Sequence, residues 1–324
     1  MNRPRIYIHR IGEWADRYLA GDNRARLASF ADVVDDSALT APPDDIADRL
    51  RDVDGILSLN GTGAPDITSD ALRSSRIRVA AISHWFHGLH DTAVPIWRAA
   101  GVDVIDASWG NNAAVAQWTL GAVLTGVFRF AELDRAMRSG VEWPEHELSG
   151  HMLNGQRVGI VGLGRIGRLV AELLAPFHVE MVGYDRYVNE AAAAEFGVRW
   201  IPLDELMSTA DIITFHLPVT EETTRMITRA HIESIKPGAL VINSARTAIL
   251  DYDAFREGLI ANRFRAIVDV FEPEPPPLDD PLRLLPNITM TPHTAGSTAH
   301  MCRVCGRTAI EALRTWFAQH PAET

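Results

Sequence analysis

The chain has 324 residues, of which 47% are hydrophobic and 23% are charged, and its formal net charge is −11. This length predicts about two domains, and the composition is ordinary for a globular protein with a full core. The negative charge disfavours nonspecific binding to nucleic acid or to an anionic membrane. We expect no membrane span, since no apolar run approaches about 18 residues. The start lacks the continuous apolar region of a secretory signal, so we expect a cytoplasmic protein.

Short runs rich in valine and isoleucine alternate with helical patterns along nearly the whole chain. The predicted strands are RIYIHRI (5–11), GILSL (55–59), RVAAIS (78–83), VDVIDA (102–107), RVGIVG (157–162), EMVGYD (180–185), DIITFHL (211–217), ALVINSA (239–245), AIVDV (266–270) and NITMTP (287–292). This alternation is typical of α/β proteins with parallel sheets. Ten strands exceed one comfortable domain, so we predict two sheets that divide near residue 108.

The stretch HWFHGLH, residues 84–90, places three histidines at a spacing of three among bulky aromatic residues. A metal site, a catalytic cluster and the lip of a binding pocket all remain open from the local sequence. His84, His87 and His90 would share a face only on a helix, and no carboxylate is suitably placed to complete a metal site. We therefore predict no metal ion here.

Two helices stand out by length. Residues 111–130 predict a long apolar helix with Asn111 or Asn112 as N-cap, and residues 297–319 predict a final helix that returns to the first domain. Cys302 and Cys305 lie on one face of the final helix and are too few for a disulfide framework. We expect two buried thiols, because a zinc site that also used His300 would lack a fourth ligand.

The segment from residue 157 to residue 185 has the order strand, glycine turn, helix, strand. Gly162 permits a tight turn, Gly164 lets a pyrophosphate approach the main chain, and Gly167 lets the helix pack closely on the strand. The helix N-terminus then presents free N–H groups to the phosphates. Asp185, about 20 residues further on, can hold the ribose hydroxyls of the cofactor. This carboxylate favours NAD over NADP, although Arg186 beside it tempers the preference.

Reactive side chains follow three later strands of the same predicted sheet. Arg246 follows the strand at 239–245, Asp269 and Glu274 follow the strand at 266–270, and His293 follows the strand at 287–292. Ligands of open parallel sheets bind beyond the carboxyl ends of the strands. An arginine there can grip a carboxylate, and a histidine paired with a carboxylate can move a proton near neutral pH. Taken singly, each residue is more often a surface charge or a satisfied polar group, but their joint position predicts a catalytic site.

The motifs GLGRIG, HLPVTEETTRMI, NSAR, DVFEPEP and TPHTAGS occur in order at plausible spacing, and with them the chain resembles the D-isomer-specific 2-hydroxyacid dehydrogenases. The resemblance implies two Rossmann-like α/β domains with parallel sheets. A substrate domain of residues 1–108 and 295–324 would be split by an NAD-binding domain of residues 109–294. It also implies a homodimer joined through the nucleotide domain, with the segment around Trp143 in the position of the dimer arm.

The resemblance further implies roles for individual residues. Arg246 would bind the substrate carboxylate and keto oxygen, and His293 would be the acid/base. Glu274 would orient the His293 imidazole and favour its protonated form. The loop residues Trp85, Phe86, His87 and Gly88 would form the lip of the substrate pocket. The residues expected to contact NAD are His87, Gly162, Gly164, Arg165, Ile166, Gly167, Asp185, Leu217, Pro218, Ser244, Ala245, Asp269, His293 and Gly296.

The implied activity is reversible hydride transfer between NAD(H) and C2 of a small 2-keto or 2-hydroxy acid, with closure of the two domains excluding water. The segment LNGTGAP (59–65) lacks the basic residue that phosphoglycerate enzymes place near the phosphate, which disfavours phosphoglycerate itself. Two alternatives remain. One is an NAD-binding regulator without turnover, and the other is a dehydrogenase for an inorganic anion such as phosphite.

Overall fold

The computed structural model describes residues 3–84, 92–144 and 150–321. The chain divides into two compact units. Unit 1 comprises Met1–Asn111 and Ser297–Thr324, and unit 2 comprises Asn112–Gly296. The predicted division lies a few residues from these bounds.

Unit 1 contains a parallel sheet of order β2-β1-β3-β4-β5 among the described residues. Its strands are β1 (Arg5–Ile8), β2 (Asp32–Asp35), β3 (Gly55–Ser58), β4 (Val79–Ile82) and β5 (Asp103–Asp106). Its helices are α1 (Ala15–Tyr18), α2 (Asn23–Ala28), α3 (Ile46–Leu50), α4 (Ser69–Arg73), α5 (Ala93–Ala99) and, from the end of the chain, α13 (Ala299–Gln319). The central strands β3 and β4 are buried along their whole length, which explains their continuous apolar sequences.

Helix α13 is amphipathic and packs on strands β3 and β4 of unit 1. Thr298 caps its N-terminus by accepting a hydrogen bond from the N–H of Met301. Cys302 and Cys305 lie on its buried face as free thiols, and burial raises the pKa of Cys305 to about 12. A thiol with so high a pKa stays protonated near neutral pH, so both side chains serve as core residues.

Unit 2 contains a parallel sheet of order β12-β11-β10-β9-β6-β7-β8 among the described residues. Its strands are β6 (Arg157–Val161), β7 (Glu180–Tyr184), β8 (Arg199–Trp200), β9 (Ile212–Phe215), β10 (Leu240–Asn243), β11 (Arg265–Val268) and β12 (Ile288–Met290). Its helices are α6 (Asn112–Val127), α7 (Phe130–Arg138), α8 (Arg165–Leu174), α9 (Glu190–Ala194), α10 (Leu203–Thr209), α11 (Arg229–Ser234) and α12 (Tyr252–Ile260).

The long apolar helix α6 lies in the core of unit 2, against α8 and β10. A Cβ atom at Gly126 would come within 2.4 Å of a Leu240 methyl carbon, so glycine sets the close approach of α6 to β10. In the part of the chain that the structure describes, no single helix is long and apolar enough to cross a membrane. Ser108–Val127 and Phe130–Arg138 meet that test only as a pair, bent by 57°.

The predicted fold class, two Rossmann-like α/β domains with parallel sheets, is confirmed. The predicted set of strands omits β2 and β8, which is an error with a simple cause. Both strands lie at sheet edges, where burial on two faces is not required. Strand β2 reads DVVD and is largely exposed, and β8 has only two residues, so neither has a continuous apolar run.

Candidate active site

Strands β10, β11 and β12 are neighbours in the sheet of unit 2 and run parallel. Their carboxyl ends therefore open at the same edge of the sheet. Arg246 follows β10, Asp269 follows β11 and His293 follows β12. The fold thus delivers a cation, a carboxylate and an imidazole to one place from positions that are distant along the chain.

The structure brings together the three residues that were predicted to be catalytic. His293 Nδ1 lies 2.8 Å from Glu274 Oε2, and His293 Nε2 lies 3.5 Å from Arg246 Nη1. The other carboxylate oxygen of Glu274 accepts a hydrogen bond from the N–H of Phe271 at 2.9 Å. Both His293 and Glu274 keep part of their surface exposed, so the imidazole is fixed in orientation and still accessible.

Arg246 is tethered at its own strand end. Its Nη1 atom donates to the main-chain carbonyl of Ala245 at 2.7 Å. Although the residue retains exposed surface, desolvation by the surrounding protein lowers the pKa of its guanidinium, and the charge of Glu274 opposes that shift. An arginine remains cationic in either case, so Arg246 offers a permanent positive charge beside His293.

Asp269 is fully buried and holds the loop that carries His293. Its carboxylate accepts hydrogen bonds from the Thr291 hydroxyl and, at 2.8 Å each, from the N–H groups of Thr294 and Ala295. His293 itself has a φ of +52°, a left-handed conformation that is uncommon for residues other than glycine. The three hydrogen bonds therefore fix a turn that the sequence of the loop alone would not favour.

Asn243 is a supporting residue that the sequence reasoning missed. Its side chain accepts a hydrogen bond from the N–H of Ala245 at 3.0 Å and donates to the carbonyl of Arg246 at 3.1 Å. An asparagine at a strand end that bonds the main chain two residues later is a known turn device, and this signal was present in the motif NSAR. Thr291 and Thr294 were missed because nothing in the sequence shows that they point at Asp269.

The glycine turn after β6 has the geometry expected of a phosphate-binding turn. Gly162 has a φ of +97°, and a Cβ atom there would meet the carbonyl oxygen of His216 at 2.7 Å. A Cβ atom at Gly167 would meet the carbonyl oxygen of Gly162 at 2.0 Å. At Gly164 a Cβ atom would meet nothing within 4 Å, so this glycine faces open space at the start of α8.

Asp185 lies beside this turn at the end of β7. One carboxylate oxygen accepts from the N–H of Leu163 and the other from the N–H of Tyr187, both at 2.8 Å. His216, at the end of β9, lies against the turn on the other side, and burial lowers its pKa to about 3, so it is neutral near pH 7. The turn is thus framed by a negative carboxylate on one side and by a neutral imidazole on the other.

Apart from His87, the other predicted cofactor residues also lie in unit 2, at or near carboxyl ends of strands. Arg165 and Ile166 open α8, Leu217 and Pro218 follow β9, Ser244 and Ala245 follow β10, and Gly296 closes the loop after His293. The Ser244 Oγ atom is buried and has no hydrogen-bond partner among the described residues. That unsatisfied hydroxyl and the open space at Gly164 fit a dinucleotide along this edge of the sheet.

The predicted pocket lip, Trp85, Phe86, His87 and Gly88, lies outside the described residues, as does His90. His84 is described and is buried in unit 1. Its Nδ1 atom hydrogen-bonds the Tyr18 hydroxyl at 2.9 Å, and its Nε2 atom lies 3.4 Å from Asn111 Nδ2. Among residues 3–84, 92–144 and 150–321, no three His, Cys, Asp or Glu side chains are grouped to hold a metal ion.

Residues 120–295, more than half of the chain, match the family model described as D-isomer specific 2-hydroxyacid dehydrogenase, NAD binding domain. The chain belongs to the D-isomer specific 2-hydroxyacid dehydrogenase family. The matched segment ends just after His293 and contains the glycine turn, Asp185 and the three clustered residues. The predictions of the family and of NAD as the cofactor are thereby confirmed, and the predicted enzyme class, an NAD-dependent oxidoreductase, is that of the family.

Curated relatives differ in the share of their own length that this chain spans. A D-3-phosphoglycerate dehydrogenase of Mycobacterium leprae is 36% identical over 232 residues, which are 71% of this chain and 44% of that protein. The chain spans between 38% and 51% of the length of the phosphoglycerate dehydrogenases that it matches. A glyoxylate reductase of Thermofilum pendens is 30% identical and aligns over 97% of this chain and 93% of its own length.

A solved structure has the same two-domain fold. The D-lactate dehydrogenase of Treponema pallidum superposes with a TM-score of 0.80 over 98% of each chain, at 22% sequence identity. At this identity the likeness shows the fold alone.

Proposed function

We propose that this family member transfers a hydride reversibly between NAD(H) and C2 of a small 2-keto or D-2-hydroxy acid. The observation that carries the proposal is the contact of His293 with Glu274 on one side and with Arg246 on the other, at the edge of an NAD-binding sheet. Bound NAD(H) supplies or accepts the hydride. The protein's own residues orient the substrate, move one proton and stabilise the charge on oxygen.

His293 would move the proton through Nε2. The Glu274 carboxylate can only accept a hydrogen bond, so the proton on Nδ1 is directed at Glu274, and Nε2 is left to face the substrate. In keto-acid reduction the imidazolium donates its Nε2 proton to the oxygen on C2. In the reverse direction neutral Nε2 accepts the hydroxyl proton. Glu274 holds the ring in this orientation.

Arg246 would bind the substrate carboxylate and the oxygen on C2. Its Nη1 atom lies 3.5 Å from His293 Nε2, so one substrate oxygen can meet both groups. A planar guanidinium binds a carboxylate in a bidentate manner and also stabilises negative charge that develops on a neighbouring oxygen. Arg246 thus supplies both orientation and electrostatic stabilisation, and His293 supplies the proton.

We infer the remaining assignments from the family. Unit 1 would be the substrate domain and would contribute Trp85, Phe86, His87 and Gly88 to the pocket, with His87 beside the nicotinamide. Unit 2 would be the NAD-binding domain, with Asp185 at the ribose and Asp269 near the carboxamide. We also propose a cytoplasmic homodimer joined through unit 2. The near full-length match to a glyoxylate reductase supports glyoxylate or a similar small 2-keto acid as substrate.

The test is NADH oxidation with glyoxylate, hydroxypyruvate, pyruvate and phenylpyruvate. On the best of these substrates we expect His293→Ala to lower kcat by a factor on the order of 10³, because a positioned general acid contributes that much. NADH affinity should change little. His151→Ala is the matched control, since His151 is an exposed histidine of unit 2 outside the cluster, and it should retain full activity.

Unchanged turnover in His293→Ala would show that the role assigned to His293 is wrong. NAD binding without turnover on any keto acid would instead favour the regulator, and NADH formation that depends on phosphite would favour the anion dehydrogenase.

A further inference from the structure

The loops that follow β7 and β9 meet across the glycine turn. Strand β6 lies between β7 and β9 in the sheet, so these two loops flank the turn that follows β6. Tyr187 in the first loop donates a hydrogen bond from its hydroxyl to Glu222 Oε2 in the second. Arg186, the neighbour of Tyr187, places Nη1 3.7 Å from the same oxygen. Glu222 therefore connects the two loops and pairs with Arg186, the cationic neighbour of Asp185 in the sequence.

The position of this contact matters because of Asp185. Its carboxylate is directed to the glycine turn by hydrogen bonds with the N–H groups of Leu163 and Tyr187. The ribose that Asp185 would hold carries the 2′-hydroxyl in NAD and a 2′-phosphate in NADP. A phosphate has a charge of about −2 near pH 7 and is commonly bound by an arginine beside the ribose. Arg186 is in the position to do this, but Glu222 pairs with it.

We propose that Glu222 is a cofactor-selecting residue that makes the chain discriminate against NADP. Its carboxylate neutralises Arg186, and together with Asp185 it presents negative charge to a 2′-phosphate. Tyr187 fixes Glu222 in place, and the hydrogen bond between them raises the pKa of the Tyr187 hydroxyl. NAD has no charge at the 2′ position and is not affected. The inference rests on the proposed role of Asp185 at the ribose, within the proposed function.

In this proposal the selection against NADP depends on the specific contact of the Glu222 carboxylate with Arg186, and a negative charge elsewhere in the loop does not replace it. Glu221 is the neighbouring residue, also acidic and exposed, and the structure gives it no hydrogen bond or ion pair with any described residue. A neutral residue at 221 removes the same charge from the same loop and leaves the contact between Arg186 and Glu222 intact. The pair of substitutions therefore separates release of Arg186 from a general change in charge.

The experiment measures dissociation constants of NADH and NADPH by calorimetry on the purified full chain, without substrate. We expect the wild-type chain to bind NADH more tightly than NADPH. Glu222→Gln should tighten NADPH binding by a factor on the order of ten, since a released arginine can pair with the phosphate, and should leave NADH binding unchanged. Adding Arg186→Ala to Glu222→Gln should abolish the gain. Tyr187→Phe should produce a smaller gain in the same direction.

Three results would overturn the proposal. They are a wild-type chain that binds the two cofactors equally, a Glu222→Gln variant with an unchanged ratio of dissociation constants, and a Glu221→Gln variant that shifts the ratio as much as Glu222→Gln. Binding is measured without a keto acid, so a negative result here is distinct from loss of the proposed hydride transfer, which is read from turnover alone. Glu222 and Tyr187 are exposed, and circular dichroism of each variant verifies that it is folded.

Discussion

Asp269 links the core of unit 2 to the proposed acid/base. It is buried at the end of β11, and the three donors that it accepts from belong to the loop around His293. A buried carboxylate with this many donors is stable only while all of them are in place. The left-handed main chain at His293 is held by the same hydrogen bonds, so the orientation of the imidazole depends on a residue that need not touch the substrate.

We therefore expect Asp269→Asn to lower kcat by a factor on the order of ten to a hundred, since small misplacements of a catalytic group have effects of this size. The amide replaces one acceptor oxygen with a donor and opposes the N–H groups of the loop. KM for NADH should change less than kcat. Steady-state kinetics, combined with urea unfolding, measures both effects.

Asp211→Asn is the control for Asp269→Asn. Asp211 precedes β9 at the opposite end of the sheet, accepts from the N–H of Arg157 at 2.8 Å and pairs with Lys236 at 2.5 Å. Its substitution should also lower stability and leave kcat unchanged. An equal loss of kcat in the two variants would mean that Asp269 acts on stability alone.

His9 makes unit 1 sensitive to acid. Burial lowers the pKa of His9 to about 4 from its usual 6.5, and its Nε2 atom hydrogen-bonds Ser58 Oγ at 2.8 Å. The unfolded chain binds this proton first as the pH falls, so His9 reduces stability between pH 6.5 and pH 4 and has no further effect below that window. We expect His9 to lower the free energy of unfolding by about 2 kcal/mol between pH 7 and pH 5.

Urea unfolding at pH 7 and pH 5 measures the effect. His9→Gln should reduce the difference between the two midpoints, and His300→Gln, at an exposed position in the same unit, should leave it as in the wild type. An undiminished difference in His9→Gln would contradict the assignment. His216 in unit 2 has the same direction of shift, so part of the acid sensitivity remains in the His9 variant.

At the scale of elements, two glycines of the glycine turn have different roles, one in packing and the other in ligand binding. Gly167 packs on the carbonyl of Gly162 with no room for a methyl group, whereas Gly164 faces open space. We expect Gly167→Ala to destabilise unit 2 by at least about 2 kcal/mol. The added methyl group would clash with a main-chain carbonyl, which cannot move aside as a flexible side chain can. Gly164→Ala should change stability by less than about 0.5 kcal/mol.

In NAD binding the order of the two variants should be reversed, with the larger effect in Gly164→Ala. Gly164→Ala should weaken it by a factor on the order of ten, since a methyl group there occupies the approach of the pyrophosphate. Calorimetry with NAD and urea unfolding of both variants test the contrast. Equal destabilisation by the two substitutions would contradict the assignment of Gly164 to ligand approach.

The sequence predicts elements well where burial dictates composition. Strands such as β3, β4 and β9 are buried along their whole length, and their valine and isoleucine runs identify them. Edge strand β2 was not predicted, because an exposed strand does not need a continuous run of apolar residues. At the site, Arg246, Glu274 and His293 were predictable from strand ends and motifs. The supporting contacts of Asn243 and Asp269 depend on side-chain direction, which a pattern of residue types does not specify.

At the scale of the whole molecule, unit 2 presents an apolar surface that α7 and its flanking residues form. We define this surface by Phe128, Phe130, Met137, Val141 and Trp143, all of which are exposed large hydrophobic side chains. The rings of Phe128 and Phe130 stack at 5.6 Å, and Trp143 is 80% exposed. Large apolar side chains that are exposed in this number along one helix and its flanking residues are typical of interaction surfaces, so this surface supports the proposed homodimer through unit 2.

We expect Phe130→Asp combined with Trp143→Ser to weaken dimerisation by a factor on the order of a hundred, because exposed aromatic anchors carry much of the binding energy of an interface. Sedimentation velocity over a range of concentrations measures the change. Leu278→Ser is the control, since Leu278 is 90% exposed in the loop EPEPPPLDDP (272–281) and lies outside the defined surface. It should leave the dimer intact. A wild-type chain that sediments as a monomer at micromolar concentration would rule out this interface.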